Sequence, residues 1–324
     1  MDDYSVFTCM QDDKEAYLLL ILSDANLPTG AFVASAGLES TAAHALFRLP
    51  TGSPAGSDIL SFLRNSVDTY ARSALPFARD AHRIAAAYAS GKIARLDVAL
   101  ATLARLDALY DASTLNHVTR RASCAQGAAL LTLYTKGFTR PPVLAAMSGS
   151  TAGMTTTTSN GDDDQSVYES RAGALVAALK VRVRRGEADA PGHLPVCWGV
   201  LAGVLGLTVG ELHLSPSYWR RATTQHMSPD RGAHLHLFLH ARGVLSAAVR
   251  MNALGPYAAQ QFLLHAVKPM LSDAMSSTAH LVSGELPDEG RTGLEPEQLP
   301  ATTWPLGEIL SARHDLLHSR IFNS

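Results

Sequence analysis

The chain reads as all-α: a single helical bundle of about nine to ten helices with a disordered internal insertion and an extended C-terminal tail. Three observations predict this. Apolar residues recur at helical spacing in one segment after another, as in Ile59, Phe62, Leu63, Val67 and Tyr70. No segment sustains the period-two alternation of a half-buried strand. Gly and Pro clusters punctuate the helical stretches, and 47% of the residues are hydrophobic against 17% charged, enough apolar mass for a large core.

In chain order, Lys14 to Asp24 (with YLLLIL) predicts a short apolar helix leading into LSDANLPTGAFVASAGLE, residues 22–39. Leu27-Pro28-Thr29-Gly30 has turn chemistry, with Pro second and Gly fourth. A second helix is expected from Ala31 to Phe47, with Gly37 inside it at a cost of about 1 kcal/mol relative to Ala. The small residues there serve either tight internal packing or the close approach of a neighbour. Leu49 to Gly56 is a loop, Ser57 the expected N-cap of the next helix, and Pro76 its end or kink before helix resumes to Tyr88. Ile93, Leu96, Leu100, Leu103, Leu106 and Tyr110 place a helix over Lys92 to Tyr110, and Ala112 to Tyr134 follows.

The stretch 148–166, SGSTAGMTTTTSNGDDDQS, offers almost nothing to bury and is expected to be a low-complexity insertion. Val167 to Arg185 resumes as helix, ending KVRVRR. His193 to Leu207 is a buried helix with a small-residue seam at Gly199 and Gly203; its uncharged run, Leu194 to Gly210, is 17 residues, short of the roughly 20 a membrane span needs. Arg231 to Met251 and Tyr257 to Leu271 are helices separated by Gly255-Pro256. Residues 1–283 thus form the helical domain, and 284–324 a flexible linker and docking tail.

Net charge is −2, which argues against a nucleic-acid binder relying on a basic field. Cys9, Cys124 and Cys197 are too few and too scattered for a disulfide framework or a CxxC zinc site. The acidic start, MDDYSVFTCMQDDKE, is unlike a leader peptide, so a cytoplasmic protein is expected. There is no GxxxxGK[ST], GxGxxG or HExxH, and Val33-Ala34-Ser35-Ala36-Gly37 lacks the first Gly of a nucleophile elbow. An enzyme is not expected, nor any cofactor of its own.

Three clusters carry candidate chemistry. His234, His236 and His240 share one helix, and an i, i+4 pair can hold a metal, but no carboxylate or Cys stands near to complete a set. Packing or hydrogen-bonded histidines are the first reading and a nickel-binding carrier the alternative. Arg242, Ser246 and Arg250 form an i, i+4 row suited to carboxylates, with Glu39 one candidate acid, or else a solvated polar face. The tail RHDLLHSRIFNS, with Arg313, His314, Arg320 and Phe322, either folds back on its own core or docks on a partner.

Five stretches resemble urease accessory proteins of the UreF type, in register and in the same order. They are LSDANLPTGAF-x-x-S-x-GLE, RRASCAQGAALL (120–131), HLPVCWGVLAGVLGL (193–207), FLHARGVLSAAVRMNALGPYAAQQFLL (238–264) and the C-terminal RHDLLHSRIFNS. The resemblance implies an all-helical homodimer that bridges the accessory protein UreD (also called UreH) to the GTPase UreG. Together they load nickel onto apo-urease, and nickel and GTP are handled by the complex. Carried over by position, the family signature falls on Leu27, Pro28, Thr29, Gly30, Phe32, Ser35, Gly37, Leu38 and Glu39; all but Leu27 are expected at a partner interface, and Glu39 resembles the glutamate tied to GTPase coupling. The resemblance also marks Arg121, Gln126, His240, Arg242, Arg250, His314, Arg320 and Phe322, the tail resembling the segment ordered on binding UreD. Ala31 departs from the usual Gly or Ser, and the Thr-rich insertion suits a eukaryotic, fungal-like member.

Overall fold

The computed structural model describes residues 3–44, 56–139, 160–207, 230–286 and 295–324, and among these every regular element is helical. The first helix, α1 (Asp3–Leu22), starts well before Lys14 and ends on Leu22, which is buried. The helix expected from Ala31 to Phe47 does not form as one piece. A 3₁₀ turn (Ala31–Val33) gives way to extended backbone at Ala34, Ala36 and Gly37 take positive φ (52° and 83°), and only then does α2 (Leu38–Ala43) begin. Residues 45–47 lie outside the described residues.

Gly37 therefore precedes a helix rather than sitting inside one. Its left-handed conformation favours glycine, and an added Cβ would stand 3.0 Å from Ser311 Cβ.

The long helix α3 (Ser57–Ala89) starts after Gly56, which takes the N-cap position expected for Ser57. It runs straight through Pro76. Loss of one helical hydrogen bond there is outweighed by burial of both flanks, Ala74 to Ala78 being fully enclosed. Next come α4 (Leu96–Ser113) and α5 (His117–Leu133), both shorter at the start than the apolar pattern predicts. Asn116 breaks the chain between them, its side chain accepting from Val118 N at 3.0 Å and Thr119 N at 3.3 Å to cap α5. A π turn (Tyr134–Phe138) ends that helix.

The helix α6 (Asn160–Arg185) takes in residues 160–166 of the expected insertion; 148–159 lie outside the described residues. Then follow α7 (Leu194–Leu205), α8 (Arg231–Arg250) and α9 (Pro256–Gln261). A π segment (Phe262–Val267) joins α9 to α10 (Lys268–Ser277), where one helix from Tyr257 to Leu271 was expected. Pro269, with no N–H to give and a ring that crowds the preceding turn, accounts for the widening. The tail forms α11 (Pro305–Ala312) and a 3₁₀ turn (Arg313–Leu316).

Two apolar clusters meet along α3. One joins the C-terminal half of α3 to α4–α7; the other joins its N-terminal half to α2, α8–α10 and Phe322 of the tail. The α3–α7 contact is the most extensive, because Gly199 and Gly203 bring α7 against the Ala78 and His82 carbonyls with no side chain between. Donors at the start of α7 are satisfied from elsewhere. Asp107 accepts from Gly192 N (2.6 Å) and His193 N (3.0 Å), and Ser123 Oγ from Leu194 N (2.9 Å). Burial pushes the Asp107 carboxyl up to about 7.

Residues 295–324, set apart by the sequence as linker and tail, lie on the body. Trp304 packs edge-on to Phe62, Ser40 Oγ donates to Leu310 O (2.5 Å), and Asn116 Nδ2 to Glu308 O (3.2 Å). Among the described residues no helix is long and apolar enough to cross a membrane.

The seam makes a paired prediction. Gly199→Val forces a side chain into the Ala78 carbonyl and Ala81 Cβ and should cost at least about 3 kcal/mol in urea unfolding. Gly173→Ala on α6, with nothing within 4 Å, should instead gain about 0.5–1 kcal/mol.

Candidate functional site

The short helix α2 turns Glu39 inward, where it is 6% exposed. A buried carboxylate needs donors in place of water, and the tail supplies them. Glu39 Oε1 accepts from Ile321 N (2.5 Å), and Oε2 accepts from Phe322 N (3.1 Å) and His314 Nε2 (3.0 Å). His314 is fully buried, and its Nε2 must carry the proton because an ionised carboxylate only accepts. Removing the carboxylate would strand buried main-chain donors, a larger cost than the net worth of the bonds themselves.

The signature turn holds the tail end from the other side. Ser35 donates its N–H (2.6 Å) and Oγ–H (2.9 Å) to Ser324 O, and Asn323 N donates to Val33 O (2.9 Å). These pairings commit Val33 O and Ser35 N to the tail and so take them out of any helical ladder. Arg250 of α8 closes the junction. Its guanidinium lies 3.9 Å over the Phe32 ring and 4.4 Å over Phe322, and it donates to Phe32 O.

Asp315 gathers the surrounding cations. Arg121 of α5 grips it with two bonds (2.9 and 2.8 Å), and Arg320 and His117 approach at 3.0 and 3.3 Å. The Arg121 hydrogen bond, with the charges around it, holds the Asp315 carboxyl well below the usual range. Arg121 also donates to Asn323 O (3.1 Å). Beside this lies an open cavity of about 770 Å³ bordered by Gly30, Arg121, Gln126, Arg320 and Phe322.

Most residues that the sequence marks thus meet at one junction, but not all. Leu38 is a fully buried core residue, and Gly37 abuts Ser311. Pro28 and Thr29 form the turn itself, Thr29 N donating to Leu27 O at 2.7 Å. The suggestion that Glu39 pairs with the α8 arginines is corrected. Glu39 is taken by the tail, Arg250 by Phe32 and Phe322, and Arg242 donates to Ser23 O at the end of α1.

His236 and His240 lie elsewhere, between α3 and α8, while His234 is exposed. Tyr70 OH meets His236 Nε2 (2.9 Å), Ser66 Oγ meets His240 Nε2 (2.9 Å), and Tyr70 stacks on the His240 ring at 4.2 Å. His240 is therefore part of this interior network rather than of the tail junction. Burial lowers His236 to about 3 and His240 to about 4, so both are neutral at pH 7. Among the described residues no group of three or more His, Cys, Asp or Glu is placed to hold a metal.

The sequence reading missed Asp315, Ser324 and the Cys124–His193–Asp111 row. Asp315 was legible as the one acid amid the tail's cations. In the row, Cys124 Sγ lies 3.6 Å from His193 Nδ1 and His193 Nε2 2.9 Å from Asp111, but burial lifts the Cys124 thiol to about 11, away from nucleophilic chemistry.

Glu39→Ala should free the tail, making the 313–324 segment the first site cut in limited proteolysis while helix content is kept. His236 is neutral when folded and ordinary when unfolded, so it binds a proton on unfolding between about pH 6.5 and 3. Its stabilising effect is complete above that window and lost as pH falls through it. His236→Gln should flatten stability against pH there by about 1.4 kcal/mol per unit, read from urea titrations.

The family model described as UreF matches residues 56–215 and 221–267. "Urease accessory protein 6" of Cryptococcus neoformans var. grubii is 36% identical over 96% of this chain and 98% of its own length. An uncharacterised UreF-like urease accessory protein of Schizosaccharomyces pombe is 24% identical (96% and 97% covered), and "Urease accessory protein F" of Arabidopsis thaliana 23% (94% and 90%). With a family model over most of the chain and a relative this close along nearly all of it, the chain belongs to the UreF family of urease accessory proteins.

Proposed function

We propose that this chain is a non-catalytic scaffold of urease maturation. In this reading it bridges a UreD (UreH)-type accessory protein and the UreG-type GTPase during GTP-dependent nickel insertion into apo-urease, working in the cytoplasm as a homodimer. The general role in urease maturation comes with family membership. The bridging role is the finer step.

One observation carries it. Four of the five signature stretches converge on a single junction: the turn at residues 27–39, Arg121 and Gln126 of α5, Arg250 of α8 and the tail. These residues do no chemistry on one another. They hold residues 313–324 and the cations beside them in one defined arrangement next to an open cavity, which is what a recognition surface requires. The fifth stretch is α7, which builds the core.

Within the α5 motif the roles divide. Ser123 and Gly127 support the start of α7, while Arg121 and Gln126 face the tail.

Deleting the gene should abolish urease activity while apo-urease polypeptide still accumulates; normal activity in the deletion strain would contradict the assignment. A pull-down with the two accessory partners should retain both on the intact chain. It should lose at least one on Glu39→Ala and on a chain ending at Gly284.

A further inference from the structure

The helix α6 seals one side of the bundle with Ala172, Leu175, Val176 and Leu179. Its open face departs from that of an ordinary surface helix, which carries charge toward water. Residues 172–179 read AGALVAAL, with no charge in any direction. Ala174 and Ala177 are exposed, and Val167 and Val181 continue the strip at 56% and 47% exposure.

Beyond Val181 the surface turns cationic. Lys180 and Arg184 of α6 meet Lys136 from the π turn that ends α5. Lys180 Nζ bonds to Thr135 Oγ1 (2.6 Å) rather than to a carboxylate, and burial together with the neighbouring Arg184 and Lys136 lowers its pKa. Among the described residues none of these three cations forms an ion pair. Arg182, on the same turn of helix, shows the contrast by holding Glu187 and Asp189 at 2.6 and 2.7 Å.

A helix C-terminus favours Arg184. It gives no reason for Lys136, which belongs to another element and adds a like charge. Three cations kept together unpaired, at the end of an uncharged strip of small side chains, complement a helix that is apolar along one edge and acidic at its end.

We propose that this face of α6 is a docking surface for an acidic amphipathic helix on a partner in urease assembly. The proposal rests on the scaffold reading above. Small residues let the partner helix approach closely, and Lys136, Lys180 and Arg184 set its direction. None of these residues shares a hydrogen bond or ion pair with the tail junction.

The test uses the full chain immobilised as wild type, as Lys136→Glu/Lys180→Glu/Arg184→Glu, and as Ala174→Glu/Ala177→Glu. All the changes lie on exposed or half-exposed positions, and circular dichroism checks folding. Apo-urease, the UreD-type protein, the UreG-type protein and the chain itself are titrated separately by biolayer interferometry.

One of the first three should lose about tenfold or more in affinity on both variants, and its wild-type binding should weaken between about 50 and 500 mM salt. Binding of every partner to both variants within about twofold of wild type overturns the proposal and leaves the scaffold reading standing. Loss confined to self-association overturns it in favour of a second copy as occupant. If none of the three binds the wild type, the scaffold reading fails and takes this proposal with it.

Discussion

One carboxylate holds the two ends of this chain together. Glu39 sits in the interior without a counter-charge from its own helix, and its buried position is tolerated because Ile321, Phe322 and His314 each give it a hydrogen bond. That exchange decides much of the surrounding geometry. It places Phe322 in the second apolar cluster, brings that ring under Arg250, and draws residues 31–37 out of helix so that Val33 and Ser35 can bond to Asn323 and Ser324. Because two of the three donors are main-chain groups, the arrangement is sensitive to the acid at residue 39 and to His314, and less so to the side chains at 321 and beyond.

The body that presents this junction is built to a tighter standard than the junction itself. Gly127, Gly199 and Gly203 allow backbone to lie directly on backbone, and Asp107 and Ser123 complete the start of α7 from two other helices. The tail rests on that frame through Asn116, Ser40 and Trp304, while its outer residues Leu316 and Ile321 stay 72% and 65% exposed. A firm frame under a partly uncovered segment is consistent with the scaffold role proposed above.

Helix identity was legible because the apolar period is strong from Ile59 to Tyr70 and in the stretch that ends at Tyr110. Boundaries were less so. Asn116 reads as an unremarkable polar residue until its side chain is seen capping α5, and Pro76 reads as a break unless the burial on both sides of it is known. The segment 31–37 was misread for a deeper reason: its small residues have adequate helix propensity, and only a partner nearly 290 residues away along the chain takes its backbone. Asp315 could be picked out as the one acid among the tail's cations, but its partner Arg121, 194 residues earlier in the chain, could not. His236 and His240 were visible as a pair, but the burial that keeps them neutral comes from packing between helices, where Ser66 and Tyr70 of α3 meet their rings.

The last residues are an integral part of the fold, seated on Glu39. Amide hydrogen exchange followed by mass spectrometry on the isolated wild-type chain reads this directly at Ile321 and Phe322. Both amides should be protected by about two orders of magnitude or more relative to free peptide. Exchange at the free-peptide rate, with α3 and α7 fully protected, would show the tail unseated and contradict this placement.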